Sequence, residues 1–196
     1  MEIYVLPNIM EDTPIVEGEL ILGQIRISNK EMIHDLELKG YGDIEEGIFL
    51  LKLFESLYLL YSKKLILKKG KKIIDFENLM SFYQKQDSEA LSKFLIYRDL
   101  RNRGYVVKDG FGFGSDFRVY ERGHFGEKGA KFLIFGFKEG QQEKMGNLQK
   151  KIDEITKMGK EPIVAVIERR GEVIYYKINK MNFYENKERI NNSFEI

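Results

Sequence analysis

Hydrophobic and polar positions alternate irregularly along the first half of the chain and settle into a clearer strand–helix rhythm in the second. Short apolar runs at Glu2–Leu6 and Glu19–Ile27, set off by Pro7, Pro14 and Gly18, predict strands. Ser28 is placed to cap a helix from about Asn29 to Leu38, with Gly40 as its stop. From Asp43 to Tyr61, apolar residues at Ile48, Leu51, Phe54, Leu57, Tyr58 and Tyr61 recur at helical spacing and predict a helix with one core face. Leu65–Leu67 and Lys72–Ile74 flank Lys69-Gly70-Lys71 and read as a small hairpin, after which Asp75 caps a helix to about Gln84.

A helix over Glu89–Arg103, begun at Asp87 or Ser88 and ended by Gly104, opens the second half. Tyr105–Lys108, Asp116–Glu121 and Lys131–Lys138 then alternate as strands do, Glu143–Met158 is helical, and Pro162–Glu168 and Glu172–Asn179 are two further strands. The pattern predicts an α/β (α+β) protein: a small N-terminal α/β domain, 1–86, and a C-terminal mixed α/β domain with a central sheet, 87–181. Gln84–Asp87 is the best boundary, and 182–196 is a polar tail.

Composition narrows the chemistry. With 43% apolar residues in 196, the chain is long enough for a packed core, and 13% aromatics without Trp suit a sheet-rich one. Lys and Arg number 32 against 31 Asp and Glu, which argues against a surface that is basic throughout and leaves nucleic-acid contact to a local patch or a partner. No cysteine is present, which excludes disulfides, thiol nucleophiles and Cys-ligated zinc, and having only two histidines, His34 and His124, argues against a multi-histidine metal site within one chain. Met1–Leu6 lacks the features of a signal peptide, and the apolar run around Ile48–Tyr61 is broken by Lys52, Glu55 and Ser56, so a cytoplasmic protein without a membrane span is expected.

One stretch is specific. Tyr97-Arg98-Asp99-Leu100-Arg101-Asn102-Arg103-Gly104-Tyr105-Val106-Val107-Lys108, followed by Gly112-Phe113-Gly114-Ser115-Asp116-Phe117-Arg118-Val119-Tyr120, closely resembles the core of archaeal-type tRNA-splicing endonucleases. Lys39–Gly42, the Leu-rich run Leu50–Leu60 and Ile74–Phe76 are similar to that family's N-terminal domain, and Ile163–Glu168 with Gly171–Tyr176 to its closing strands. The resemblance covers roughly Gly23 to Asn179.

The resemblance implies a nuclease-like C-terminal domain acting on precursor tRNA at bulge–helix–bulge elements. It implies no metal and no cofactor: the RNA's 2′-hydroxyl attacks the neighbouring phosphate, leaving a 2′,3′-cyclic phosphate and a 5′-hydroxyl. Such a reaction needs a base, an acid and a cation for the developing charge, roles the family gives to Tyr, His and Lys. On the family's pattern Tyr120 is the tyrosine and Lys160 the lysine. The histidine should open the strand after Tyr120, but Gly129-Ala130-Lys131-Phe132-Leu133-Ile134 occupies that register and Gly129 stands in its place. An Arg expected two helical turns before the lysine is replaced, by spacing, by Asp153.

These departures imply a structural subunit that pairs with a homologous catalytic subunit in a heterotetramer. The resemblance implies that the turn Glu168–Glu172 plugs into an opposing subunit, a role Glu168 and Glu172 suit by charge although a plain hairpin turn stays open, and Ile174 and Tyr176 are expected in a strand that meets a partner's matching strand. Two other readings stay open. One is an active homo-oligomeric enzyme with His124 completing a displaced triad with Tyr120 and Lys160; the other is a binding module that reuses the fold outside splicing. Gly110–Gly114 leads into a strand, so a phosphate-cradling loop is not expected there, and Arg98, Arg101 and Arg103 suit either RNA contact or ion pairing with Asp99.

Overall fold

The structure, a computed structural model, describes residues 15–178 apart from 111, 113 and 141–144, and gives only the backbone of 145–149. The expected strand Glu2–Leu6 and the tail 182–196 lie outside the described residues.

The first half builds a six-stranded sheet from β1 (Val16–Ile21), β2 (Gln24–Ile27), β3 (Asp43–Glu45), β4 (Ile48–Leu51), β5 (Leu65–Lys69) and β6 (Lys72–Ile74), in the order β3-β4-β2-β1-β5-β6. Around it lie α1 (Lys30–Leu38), α2 (Leu53–Tyr61) and α3 (Phe76–Gln84). The second half begins with α4 (Ala90–Asn102) and forms a five-stranded sheet, β11-β10-β9-β8-β7, from β7 (Val106–Asp109), β8 (Phe117–Tyr120), β9 (Phe132–Lys138), β10 (Glu161–Ile167) and β11 (Val173–Lys177). Helix α5 (Met145–Lys157) makes the crossover between the parallel strands β9 and β10. The mixed α/β class is as expected. No helix among the described residues is long and apolar enough to cross a membrane.

Three local expectations are corrected. Glu19–Ile27 is not one strand but the hairpin β1–β2, turned at Leu22 and Gly23 with φ of 50° and 86°. Asp43–Tyr61 is not one helix: β3 and β4 form a second hairpin turned at Glu46 and Gly47, φ 50° and 79°, and only Leu53–Tyr61 is helical. Consecutive positive φ values make the tight turn whose twist matches paired strands, and the apolar residues Phe49, Leu50 and Leu51 are buried along β4. The cap of α1 is Asn29 rather than Ser28; its side chain accepts from the amides of Glu31 and Met32. Asp75 caps α3 as expected, by accepting from the amide of Asn78.

One apolar core runs through both halves. Phe54 of α2 packs against Tyr97 of α4 and Phe117 of β8, with ring centroids 4.9 and 5.2 Å apart. Beside these rings the joint is polar. Lys108 of β7, almost fully buried, donates to the carbonyl of Gly42 and lies 2.9 Å from Asp43. Glu55, also buried, accepts from the amides of Gly42 (3.0 Å) and Lys52 (2.9 Å). Arg101 lies 3.9 Å from the centre of the Tyr41 ring and donates to the carbonyl of Lys39.

Burial raises the Glu55 carboxyl from 4.5 to about 7, against the lowering influence of Lys108 and the two amides. A carboxyl that holds its proton more tightly in the folded state contributes stability that is complete below its unfolded pKa and lost as pH rises through the folded one. The stability of the unaltered chain relative to a Glu55→Gln variant is therefore expected to fall between about pH 5 and about pH 8, by up to roughly 3 kcal/mol. Urea unfolding at a series of pH values checks this; parallel profiles for the two proteins would contradict it.

Candidate active site

The end of the five-stranded sheet assembles the residues of interest. Strand β8 runs antiparallel to β9, and β9 parallel to β10, so the C-terminal end of β8 and the N-terminal ends of β9 and β10 lie side by side. Tyr120 ends β8, residues 129–131 lead into β9, and Lys160 leads into β10. The ladder continues through this edge: the amide of Lys131 donates to Val119 O and that of Glu161 to Lys131 O, both at 2.9 Å. The stretch Asp116–Tyr120 is held in register by Asp116, whose carboxylate accepts from the amide of Gly136 at 2.7 Å and whose own amide donates to Ile134 O. The aspartate of the motif is thus a strand-alignment device.

Gly129 and Lys160 meet. A Cβ built on Gly129 lies 3.9 Å from Lys160 Nζ and meets no other non-neighbouring atom within 4 Å. Its φ is ordinary, so the backbone would accept a side chain. Lys160 Nζ donates to the carbonyl of Ala130 at 2.6 Å, and the Ala130 side chain is buried. Of the two small residues, Gly129 is the one that opens onto the ammonium.

Tyr120 is half-buried, and the ring of Phe125 stands edge-on to it, 4.9 Å away at 90°. The same Phe125 packs against Gly40, where an added Cβ would sit 3.2 Å from its ring, so the 122–126 turn is tied to the N-terminal half. His124, the adjacent residue, has Nδ1 buried without a hydrogen-bond partner, and its ionic neighbour is Glu127, 3.8 Å away. Glu121 accepts from Lys131 at 2.7 Å, and this hydrogen bond holds its carboxyl below the usual range. His34 is exposed on α1, far along the chain from this edge.

Other expected positions are found as follows. Asp153 is half-buried on α5, the helix whose Ile155 packs on Leu133 and Phe135. Glu168 N donates to Glu172 O at 3.0 Å, closing the turn, and Arg169 pairs with Glu139 at 3.5 Å. Strand β11 is the edge of the sheet; Ile174 (37%) and Tyr176 (52%) are exposed, while Val173 and Tyr175 pack on the core. Arg103 is paired with Asp99, Arg101 is stacked on Tyr41, and Arg98 lies over Tyr61 and Phe94, so structural partners account for each. The loop before β8 closes on itself through Gly110 N to Asp116 O and Ser115 N to Gly112 O; Phe111 and Phe113 lie outside the described residues. Among the described residues no group of three or more His, Asp or Glu is placed to hold a metal ion.

The sequence reading does not single out Arg118, which shares the face of β8 with Tyr120. The signal is in the alternation: Phe117 and Val119 are buried, Arg118 and Tyr120 are not.

Comparison with known proteins bears on what this edge is for. The family model described as tRNA intron endonuclease, catalytic C-terminal domain, matches residues 90–175, and that described as tRNA intron endonuclease, N-terminal domain, matches residues 16–80. The tRNA-splicing endonuclease of Methanococcus maripaludis is 35% identical over 156 residues, 79% of this chain and 88% of that protein. That of Thermococcus kodakarensis is 32% identical over 157 residues, 80% of this chain and 92% of that protein. That of Pyrococcus furiosus is 28% identical over 170 residues, 86% and 98% respectively.

Proposed function

The chain belongs to the tRNA intron endonuclease family, and from that membership we propose that it serves as the structural subunit of the enzyme. In this reading two copies pair with two copies of a homologous catalytic subunit, and the complex removes introns from precursor tRNA at bulge–helix–bulge sites in the cytoplasm. The chemistry is the metal-independent transfer that leaves 2′,3′-cyclic phosphate and 5′-hydroxyl ends. The division into domains 1–86 and 87–181, with a tail after them, belongs to the same proposal and is supported by the separate matches to residues 16–80 and 90–175.

One observation carries the proposal: Gly129, beside the ammonium of Lys160, has no side chain to offer where an acid is required. A proton donor must stand within hydrogen-bond reach of the leaving oxygen, and hydrogen on Cα cannot serve. Tyr120 and Lys160 are, on this reading, retained from a catalytic ancestor. The displaced triad with His124 has less support, because it is Phe125, not His124, that lies on Tyr120. For assembly, the exposed Ile174 and Tyr176 on the edge strand β11 supply apolar area for a partner's strand, and Glu168 and Glu172 supply charge at the neighbouring turn.

The experiment is a cleavage assay on a bulge–helix–bulge RNA. The purified chain is expected to leave the RNA intact, and a His-bearing homologue mixed with it to gain activity over the homologue alone. Cleavage by the chain alone, abolished by His124→Ala, would overturn the proposal in favour of the displaced triad. No gain with the homologue would remove the scaffold role.

A further inference from the structure

Arg118 sits mid-strand in β8, half-buried, and among the described residues it makes no hydrogen bond and no ion pair. Its cross-strand partners are Leu133 on β9 and Lys108 on β7. Like charges directly opposite in a ladder are destabilising. Asp43, 2.9 Å from Lys108, answers one of these two cations and leaves the other uncompensated. Folding gives no reason for a guanidinium at this position.

The surroundings extend the observation. Arg118 shares its sheet face with Tyr120 by alternation, and with Leu133 and Phe135, on which α5 packs. Lys151 of α5 lies over the Phe135 ring, 5.7 Å from its centre, with Nζ 3.4 Å from where a Cβ on Gly114 would stand. At the other end Lys160 holds, among the described residues, only the carbonyl of Ala130. Lys151, Arg118 and Lys160 thus follow β8 from its entry to its end, and no carboxylate pairs with any of them among the described residues. Two carboxylates next in sequence to Tyr120 and Lys160 are paired with other cations: Glu121 with Lys131 at 2.7 Å and Glu161 with Lys177 at 2.8 Å.

We propose that this strip is a track for the RNA backbone, on which Lys151, Arg118 and Lys160 hold successive phosphates of one strand running along β8 to position 129. It rests on the reading of the substrate given above and adds that the chain grips RNA at the site where it does not cut. Two residues along a strand advance about 6.6 Å, comparable to one nucleotide step of an extended RNA strand. The planar fork of Arg118 matches phosphate oxygens two at a time, and its partial burial makes the contact stronger than one in open water.

The test is the salt dependence of binding of the full chain to a bulge–helix–bulge RNA. Each phosphate contact adds about 0.7 to 0.9 to the slope of log affinity against log salt. Arg118→Gln and Lys151→Gln are each expected to flatten the slope by that amount, so each variant's deficit shrinks about threefold over a roughly fourfold rise in salt. Arg98→Gln, whose guanidinium already lies over Tyr61 and Phe94, should leave the slope unchanged. Thermal midpoints of the Arg118 variant should match or exceed that of the unaltered chain, because a like-charge opposition is relieved. Unchanged slopes for Arg118→Gln and Lys151→Gln, an equal loss in Arg98→Gln, or no RNA binding by the unaltered chain would overturn the inference. Cleavage by the chain alone reads out separately as cut RNA and would remove the scaffold role while leaving the slopes standing.

Discussion

A Gly129→His variant, without any partner subunit, is expected to cut a bulge–helix–bulge RNA that, on the proposed reading, the unaltered chain leaves intact. The position has an ordinary φ and open space, and its Cβ direction reaches to within 3.9 Å of Lys160 Nζ. An imidazole there would stand beside Lys160 on the lead-in to β9, one strand away from Tyr120. A positioned general acid contributes about a 10²- to 10⁴-fold acceleration, and the gain in single-turnover cleavage rate should fall in that range. The neighbouring ammonium disfavours a second positive charge, so the new histidine should titrate below about 6.5. As the acid it must be protonated, so the gained activity should decline as pH rises through that value. Lys160→Ala in the same background should return the rate to the background level. A folded variant with no gain would contradict the proposal that an acid at position 129 is all this edge lacks, and Phe125, standing against Tyr120, would be the next residue to alter.

Gly42→Ala is expected to produce the largest loss of stability among single-methyl changes at the joint between the halves. Gly42 has φ 61°, and an added Cβ would lie 2.3 Å from Phe49 Cζ and 2.9 Å from Leu50 O. The residue cannot retreat, because its amide donates to Glu55 and its carbonyl accepts from Lys108. The left-handed backbone costs an alanine about 1 kcal/mol or more, and overpacking adds about 1–3 kcal/mol. A total near 3 kcal/mol corresponds to a fall in Tm of about 6 to 12 °C for a chain of this size. Gly47→Ala, in the β3–β4 turn, is the control: φ is 79° there, but nothing lies within 4 Å of the new methyl. It should cost only the backbone part, about 1 kcal/mol. Equal losses in the two variants would show that the joint yields where the geometry says it is tight.

Legibility of the chain followed the range of the forces involved. The second half alternates over enough residues that each strand and helix was readable, and the caps at Asp75 and Gly104 act within a few residues of themselves. In the first half the same local rules misled. The apolar positions from Ile48 to Tyr61 fit a helical period, yet Ile48–Leu51 pairs with β2 and β3, and the burial gained across that sheet outweighs local periodicity. The turns that divide the two hairpins place Leu22 and Glu46 at positive φ, residues that carry no turn signal of their own.

By itself the sequence determined the family, through one long motif, and the resemblance carried by that motif implies a histidine at position 129, where the sequence has glycine. Only the tertiary structure decided what that residue faces. Lys160 reaches Ala130 across 30 positions and Lys108 reaches Gly42 across 66, and the uncompensated Arg118 is recognised only once Lys108 is seen opposite it with Asp43 already taken. The reason is physical. Backbone propensity and capping act over a few residues, whereas the field at a side chain is set by charges brought near by sheet order, which no local stretch of chain encodes.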